Sequence, residues 1–102
     1  MAEYKAVRDP HRCPSHPGAV IEDVLDGANM PKTKIADILG ISRQQLHGIL
    51  AGRKPLSPAI AVRVAKLIGG SPESWLRMQA DFDAWHAARE VDTSKIKRLK
   101  VA

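Results

Sequence analysis

Three side chains that can hydrogen-bond to base-pair edges stand close together in this chain: Arg43, Gln44 and His47. Arginine can bind O6 and N7 of guanine, glutamine can bind N6 and N7 of adenine, and histidine can contact a base or a phosphate. On a helix these side chains point away from the neighbouring apolar residues, which are Leu46, Ile49 and Leu50. We also expect Gly48 on the polar face, where it would allow close approach to the bases. The spacing predicts a face that enters the major groove of double-stranded DNA.

Residues on either side of this face predict contacts to the phosphate backbone. Ser42 is expected to be the N-cap of the helix, with Gln45 completing a capping box three residues later. Lys32 would begin the preceding helix, while Arg53 and Lys54 directly follow the base-reading helix. Cations and helix N-termini at such places bind phosphates, so we predict backbone contacts from Ser42, Lys32, Arg53 and Lys54. The alternative for the three cations is an ordinary solvated surface.

Two short amphipathic helices joined by a tight turn must position these side chains. The small Ala36 lets the helices approach each other, Gly40 permits the left-handed backbone of a sharp turn, and Gly52 ends the second helix. The apolar residues between the two helices are Ile35, Leu39, Ile41, Leu46, Ile49 and Leu50. Residues 35–52 therefore predict a helix-turn-helix.

Apolar periodicity and capping signals predict five helices in all. Pro17 opens the first helix, and Ser57-Pro58 and Ser71-Pro72 open the fourth and fifth, each with serine as the cap and proline at the first helical position. The expected ranges are residues 17–28, 32–39, 43–51, 58–68 and 72–90. The predicted fold is all-α, a five-helix helix-turn-helix domain with either a short C-terminal strand or a tail.

The chain divides into three predicted segments. Residues 1–15 mix charges and prolines without periodicity and are expected to be an N-terminal arm. Residues 16–90 form the DNA-binding domain, and residues 91–102 form a basic C-terminal tail. The tail is too short and too charged for a helix of its own, so it is expected to form an edge strand on a partner or to stay disordered.

Composition favours a polyanionic partner. Sixteen Lys and Arg against eleven Asp and Glu give a net charge of +5, and between residues 32 and 66 the only acid is Asp37. The single Cys13 excludes a disulfide within the chain and fits a reducing compartment. No apolar run has the length of a membrane span and no signal peptide is recognisable, so we expect a cytoplasmic protein without membrane contact.

The longest predicted helix carries an aromatic stripe. Trp75, Met78, Phe82 and Trp85 follow one another at helical spacing. Trp75 is expected in the core, whereas Phe82 and Trp85 lie further out, where short helices leave little to cover them. An exposed apolar end usually marks an interface, and a single helix-turn-helix covers only one half-site. We therefore predict a homodimer with Phe82 and Trp85 in the seam.

Several motifs together resemble the HigA antitoxins, a branch of the XRE-type, lambda-repressor-like helix-turn-helix regulators. The resemblance covers about residues 16–96. Its motifs are the opening His16-Pro17-Gly18, the central helix-turn-helix, Leu56-Ser57-Pro58, and the run Ser71-Pro72-Glu73 with Trp75-Leu76-Arg77-Met78-Gln79. The chain departs from the family pattern at Ser74, where an aromatic residue is common, and in its tail, which is richer in Lys and Arg.

The resemblance implies a dimeric antitoxin that represses its own operon and neutralises a HigB-type, ribosome-dependent mRNA endonuclease. By position, Arg43, Gln44 and His47 match base contacts of the family. Such a toxin is expected to be basic around its RNA site, so an acidic or mobile surface would bind it. The acidic edge of the first helix, Glu22, Asp23 and Asp26, and the arm at residues 1–15 fit that description. A simple solvated face is the alternative for the acidic edge.

Other functional classes find less support in the sequence. An orphan transcriptional regulator of the same family, without a toxin, differs from an antitoxin only in its neighbouring gene. An enzyme is not expected, because His11, Cys13 and His16 lie in a proline-broken arm and lack a fourth ligand at zinc spacing. RNA binding lacks a sheet with aromatic platforms. We expect no cofactor, no metal and no small-molecule substrate.

Overall fold

The computed structural model describes residues 11–101 of the chain, and within them the secondary structure is entirely helical. The helices are α1 (Pro17–Ala28), α2 (Lys32–Leu39), α3 (Arg43–Leu50), α4 (Pro58–Ile68) and α5 (Pro72–Glu90). All five predicted helices are present, and only the end of α3 differs, by one residue. The N-terminal arm is described only from His11 onward, so most of it lies outside the described residues.

The helix starts follow local capping chemistry. The hydroxyls of Ser42, Ser57 and Ser71 each accept a hydrogen bond from a backbone N–H in the first turn of their helix. The expected capping box at α3 forms only its first half, because Ser42 is bonded by the Gln45 N–H while the reciprocal bond is absent in the described chain. At α5, Ser71 and Ser74 form both bonds. Ser74, the departure from the family pattern, therefore stabilises the start of α5.

One apolar core joins the five helices. α1 packs against α3, α4 packs against α5, and α2 contacts both α3 and α4. The buried apolar residues are Ile21, Leu25, Ile35, Ala36, Leu39, Leu46, Ile49, Leu50, Leu56, Ile60, Ala61, Val64 and Trp75. Val24 of α1 and Leu67 of α4 are 44% and 36% exposed and lie outside this core.

The turn between α2 and α3 is sharp and tightly bonded. Gly40 adopts a left-handed backbone with a φ of 70°, as expected for the glycine that ends α2. The Ile41 N–H donates to the Ala36 carbonyl at 3.0 Å. From α4, the Arg63 guanidinium donates to the Leu39 carbonyl at 3.0 Å, which satisfies a carbonyl left free at the end of α2. The angle between the two helices of the motif is thereby fixed.

The C-terminal segment leaves the helical body after α5. Every residue from Val91 to Val101 is exposed, and no strand occurs among the described residues. The Ser94 N–H donates to the Asp92 carboxylate at 2.9 Å, and hydrogen bonding from Ser94 holds the pKa of Asp92 below its usual value. The structure therefore shows an exposed tail, and the edge strand on a partner stays a prediction.

Candidate nucleic-acid interface

Helix α3 separates its polar and apolar sides as the sequence predicts. Arg43, Gln44 and His47 are exposed. On the other side, Leu46, Ile49 and Leu50 are only 2%, 2% and 6% exposed. The predicted base-reading face therefore lies on a helix whose rotation is fixed by its buried side. Ser42 keeps its predicted place at the N-terminus of α3, where its oxygen accepts from Gln45 and its hydroxyl proton is left to donate to a phosphate.

The prediction for Gly48 is wrong, because this residue is buried rather than exposed. A Cβ atom at Gly48 would lie 2.7 Å from Cδ of Lys54, so the lysine stem occupies the space above the glycine. The Gly48 carbonyl also accepts from the backbone N–H groups of Arg53 at 2.8 Å and Lys54 at 3.0 Å. Gly48 therefore lets the following loop fold back onto α3.

This loop carries the two cations expected at the phosphates. Arg53 and Lys54 are both exposed. Their backbone is fixed on one side by α3 through Gly48, and on the other side the Leu56 N–H donates to Oε1 of the buried Gln79 at 2.8 Å. Nε2 of Gln79 in turn donates to the Asp83 carboxylate at 2.9 Å. Two helices thus hold the loop beside the base-reading face.

His16 is the second residue that fixes this loop, and it is 7% exposed. Its Nδ1 accepts from the Gly18 N–H at 2.9 Å, so His16 is the N-cap of α1, and its ring meets the Phe82 ring at a centroid distance of 4.9 Å. Burial lowers the pKa of His16, while the charge of Asp83 and a hydrogen bond to the Lys54 backbone act in the opposite direction. A neutral imidazole can accept at Nδ1 and donate from Nε2, which suits this position.

The roles of Gln79 and His16 were not assigned from the sequence, nor was that of Arg63. The sequence does contain one indication of the role of Gln79, because this polar residue follows Trp75 by one turn on the buried side of α5. The sequence brings His16 close to His11 and Cys13 but argues against a metal site there, because a fourth ligand at zinc spacing is missing. Residues 11–101 contain no group of three His, Cys, Asp or Glu side chains that could hold a metal ion.

Lys32 and Glu22 are predicted to contact DNA and a toxin respectively, but in the structure they pair with each other. The Lys32 ammonium lies 3.2 Å from Oε1 of Glu22, and both side chains are partly exposed. A phosphate would therefore have to share Lys32 with Glu22. Asp23 and Asp26 are exposed, and Asp26 lines a shallow cavity between α1 and α2.

Phe82 and Trp85 are less exposed than predicted. Phe82 contacts the His16 ring and also the His86 ring, the latter at a centroid distance of 4.4 Å. Trp85 meets the His86 ring at 5.1 Å, and the Arg89 guanidinium lies 3.5 Å above the indole. The expectation that little would cover these rings is wrong, because histidine and arginine side chains of the described chain lie against them. Their role in a dimer stays a prediction.

Comparisons with known proteins agree with this geometry. A helix-turn-helix family model, HTH_3, matches residues 21–76. The uncharacterized helix-turn-helix transcriptional regulator YddM of Escherichia coli is 31% identical over 83 residues, covering 81% of this chain and 88% of the relative.

Two solved structures of antidote proteins have the same fold. A Nostoc punctiforme protein, a candidate antidote of a plasmid maintenance system, is 37% identical with a TM-score of 0.70, covering 74% of this chain and 84% of the other. An addiction module antidote of the HigA family from Coxiella burnetii is 29% identical with a TM-score of 0.69, covering 82% and 90%. This chain belongs to the helix-turn-helix family. Its fold is lambda-repressor-like, and the resemblance to the HigA-type antitoxins is confirmed.

A helix that crosses a bilayer must be long and predominantly apolar. None of those within residues 11–101 combines the length and the apolar character needed to cross a bilayer.

Proposed function

We propose that this chain is a sequence-specific DNA-binding antitoxin that represses its own toxin–antitoxin operon. The observation that carries the proposal is the exposed face of α3, where Arg43, Gln44 and His47 stand opposite the buried apolar side of the same helix. Arg43 and Gln44 read bases in the major groove, and His47 contacts a base or a phosphate. Such a protein acts in the cytoplasm, and no enzymatic step, cofactor or metal enters this function.

Contacts to phosphates orient the domain on DNA. Ser42 contributes its hydroxyl at the start of α3, and Arg53 and Lys54 contribute charges from the loop that Gly48 and Gln79 hold in place. Lys32 contributes a fourth contact that competes with its ion pair to Glu22. These contacts set the register on the duplex but carry no sequence information.

The DNA-bound form is a homodimer that covers two half-sites about 34–36 Å apart. Phe82 and Trp85 are the proposed contacts between the two copies. Because histidine and arginine side chains already lie against both rings, the seam would combine these polar partners with the remaining exposed ring surface.

The proposed protein partner is a HigB-type mRNA endonuclease toxin. Support comes from the likeness to an addiction module antidote of the HigA family, and from the acidic edge of α1. Asp23 and Asp26 are exposed there, while Glu22 is paired with Lys32, so the two aspartates offer the more accessible negative charge. The arm at residues 1–15 is the second proposed contact for the toxin.

A second candidate function is that of an orphan transcriptional regulator with the same DNA chemistry and no toxin. The likeness to the Escherichia coli regulator, at 31% identity, favours it. The two functions differ in whether a second protein binds this chain.

Co-expression with the product of the adjacent reading frame separates the two candidates. The antitoxin function predicts a complex that survives affinity purification and that blocks mRNA cleavage by the adjacent product. Asp23→Lys with Asp26→Lys should weaken that complex, while Arg43→Ala is the matched control that should leave it intact. If the adjacent reading frame encodes no nuclease and its product is not captured by this chain, the orphan regulator is the correct assignment.

A further inference from the structure

The C-terminal segment of this chain carries positive charge that no acid within residues 93–102 balances. Residues 93–102 contain four basic side chains and no acid, so they supply four of the five net positive charges. Residues 1–92 contain twelve Lys and Arg against eleven Asp and Glu, which leaves that part at +1. The basic side chains of the tail are Lys95, Lys97, Arg98 and Lys100. Acidic residues elsewhere in residues 1–92 therefore nearly balance the charge of the basic helix-turn-helix. No acid within residues 93–102 balances the charge of the tail.

The tail is fully available to a partner. Residues from Val91 to Val101 are exposed, and the Ile96 N–H donates to the nearby Thr93 carbonyl at 2.9 Å, so local contacts shape this segment. Ile96, Leu99 and Val101 are 74%, 82% and 88% exposed.

The order of apolar residues in the tail argues against docking as a strand. In an extended chain successive side chains point to opposite faces. Ile96 would then lie on one face, and Leu99 and Val101 on the other, each among basic residues. The tail therefore lacks one continuous apolar face for a protein surface, while both of its faces carry cations.

The tail also starts close enough to the interface to reach DNA. Through Gln79 and Phe82, the middle of α5 contacts the residues that fix the loop of Arg53 and Lys54. From Phe82 and Gln79 to Glu90 the helix rises by about 12–17 Å at roughly 1.5 Å per residue. The eleven residues that follow span up to about 35 Å when extended. The tail is therefore long enough to reach phosphates beside the predicted base-reading site.

We propose that the segment from Lys95 to Lys100 is a second, sequence-independent DNA-binding element that contacts phosphates flanking the site read by α3. The inference rests on the proposed DNA-binding function and adds a separate anchoring surface to it. Lysine and arginine side chains displace counterions from DNA when they contact phosphates, which gives binding a steep salt dependence. The tail supplies exposed charge of this kind without constraining the sequence that is read.

The test is the salt dependence of binding to a duplex of about 40 base pairs with an arbitrary mixed sequence. The full-length chain is compared with a tail-neutral variant that combines Lys95→Gln, Lys97→Gln, Arg98→Gln and Lys100→Gln. Each lost phosphate contact lowers the slope of log K against log salt by about 0.9. A fourfold rise in salt weakens binding of the natural chain by some factor. If the tail makes two to four phosphate contacts, that factor should be about 10-fold to about 150-fold smaller for the tail-neutral variant.

The matched control carries Ile96→Ser with Leu99→Ser, which changes the tail but keeps its four cations, and its salt slope should equal that of the natural chain. The inference is overturned if the tail-neutral variant has the salt slope of the natural chain. If, in addition, both variants lose the dimer, the tail belongs to a protein interface. Arg53→Ala separates this failure from failure of the proposed function. If that variant lowers the slope while the tail-neutral variant does not, only the tail inference is wrong; if the natural chain binds no DNA, the function itself is wrong.

Discussion

Gln79 offers the sharpest test of how the interface is held together. Its side chain is 6% exposed and accepts from the Leu56 N–H at 2.8 Å, at the end of the loop that carries Arg53 and Lys54. Gln79→Met keeps a similar length and volume but removes the acceptor. A buried donor left without a partner costs about 1–3 kcal/mol of unfolding free energy. For a domain of this size, about 2 kcal/mol corresponds to a fall in Tm of roughly 8–16 °C.

Urea unfolding followed by circular dichroism measures this loss directly. Gln44→Met is the matched control, because it makes the same chemical change on the exposed face of α3 and should alter stability by less than about 0.5 kcal/mol. The two variants should therefore differ by more than about 1 kcal/mol. If Gln79→Met is as stable as Gln44→Met, the Leu56 hydrogen bond does not hold the loop and the reasoning is refuted.

Three further predictions concern α1, α3 and α5. Burial holds the pKa of His16 below its usual value, so the unfolded chain binds a proton at this residue more readily than the folded chain does. The free energy of unfolding should therefore be highest above about pH 6.5 and should fall as the pH drops through the folded-state pKa. His16→Asn keeps a cap and should remove that part of the pH dependence, measured by urea titration at several pH values. Gly18→Ala places a methyl group against the Ile49 backbone carbonyl and should destabilise the fold by about 1–3 kcal/mol or more, and an unchanged Tm would contradict this contact. Phe82→Gln with Trp85→Gln should give a folded monomer in sedimentation; a dimer of unchanged mass would place the seam elsewhere.

The helices were predictable because their signals are local. Ser57-Pro58 and Ser71-Pro72 combine a capping hydroxyl with a proline at the first helical position, and both open helices in the structure. Gly40 supplies the left-handed residue that ends α2. The exposed face of α3 followed from helical periodicity alone, since fixing Leu46 inside places Arg43 and His47 outside.

The contacts that fix the interface could not be predicted in the same way. Helical periodicity put Gly48 on the outer face of α3, but the stem of Lys54 covers it, because the loop after α3 turns back. The ring of Phe82 packs against His16, which lies far away in sequence. Pairing of Lys32 with Glu22 likewise depends on how α1 and α2 meet. Each of these is a tertiary contact, and local spacing carries no information about it.

The central claim is that α3 reads DNA sequence through Arg43, and one comparison tests it most directly. DNA selected from a random library by the natural chain is titrated with Arg43→Ala and, separately, with Arg53→Ala. Arg43→Ala should lose about 1–3 kcal/mol of specific affinity, roughly 5- to 150-fold, and relax selectivity at one base position. Arg53→Ala should weaken binding to selected and unselected DNA alike and lower the salt slope by about one. If Arg43→Ala binds the selected DNA with the affinity and selectivity of the natural chain, the account of α3 is contradicted.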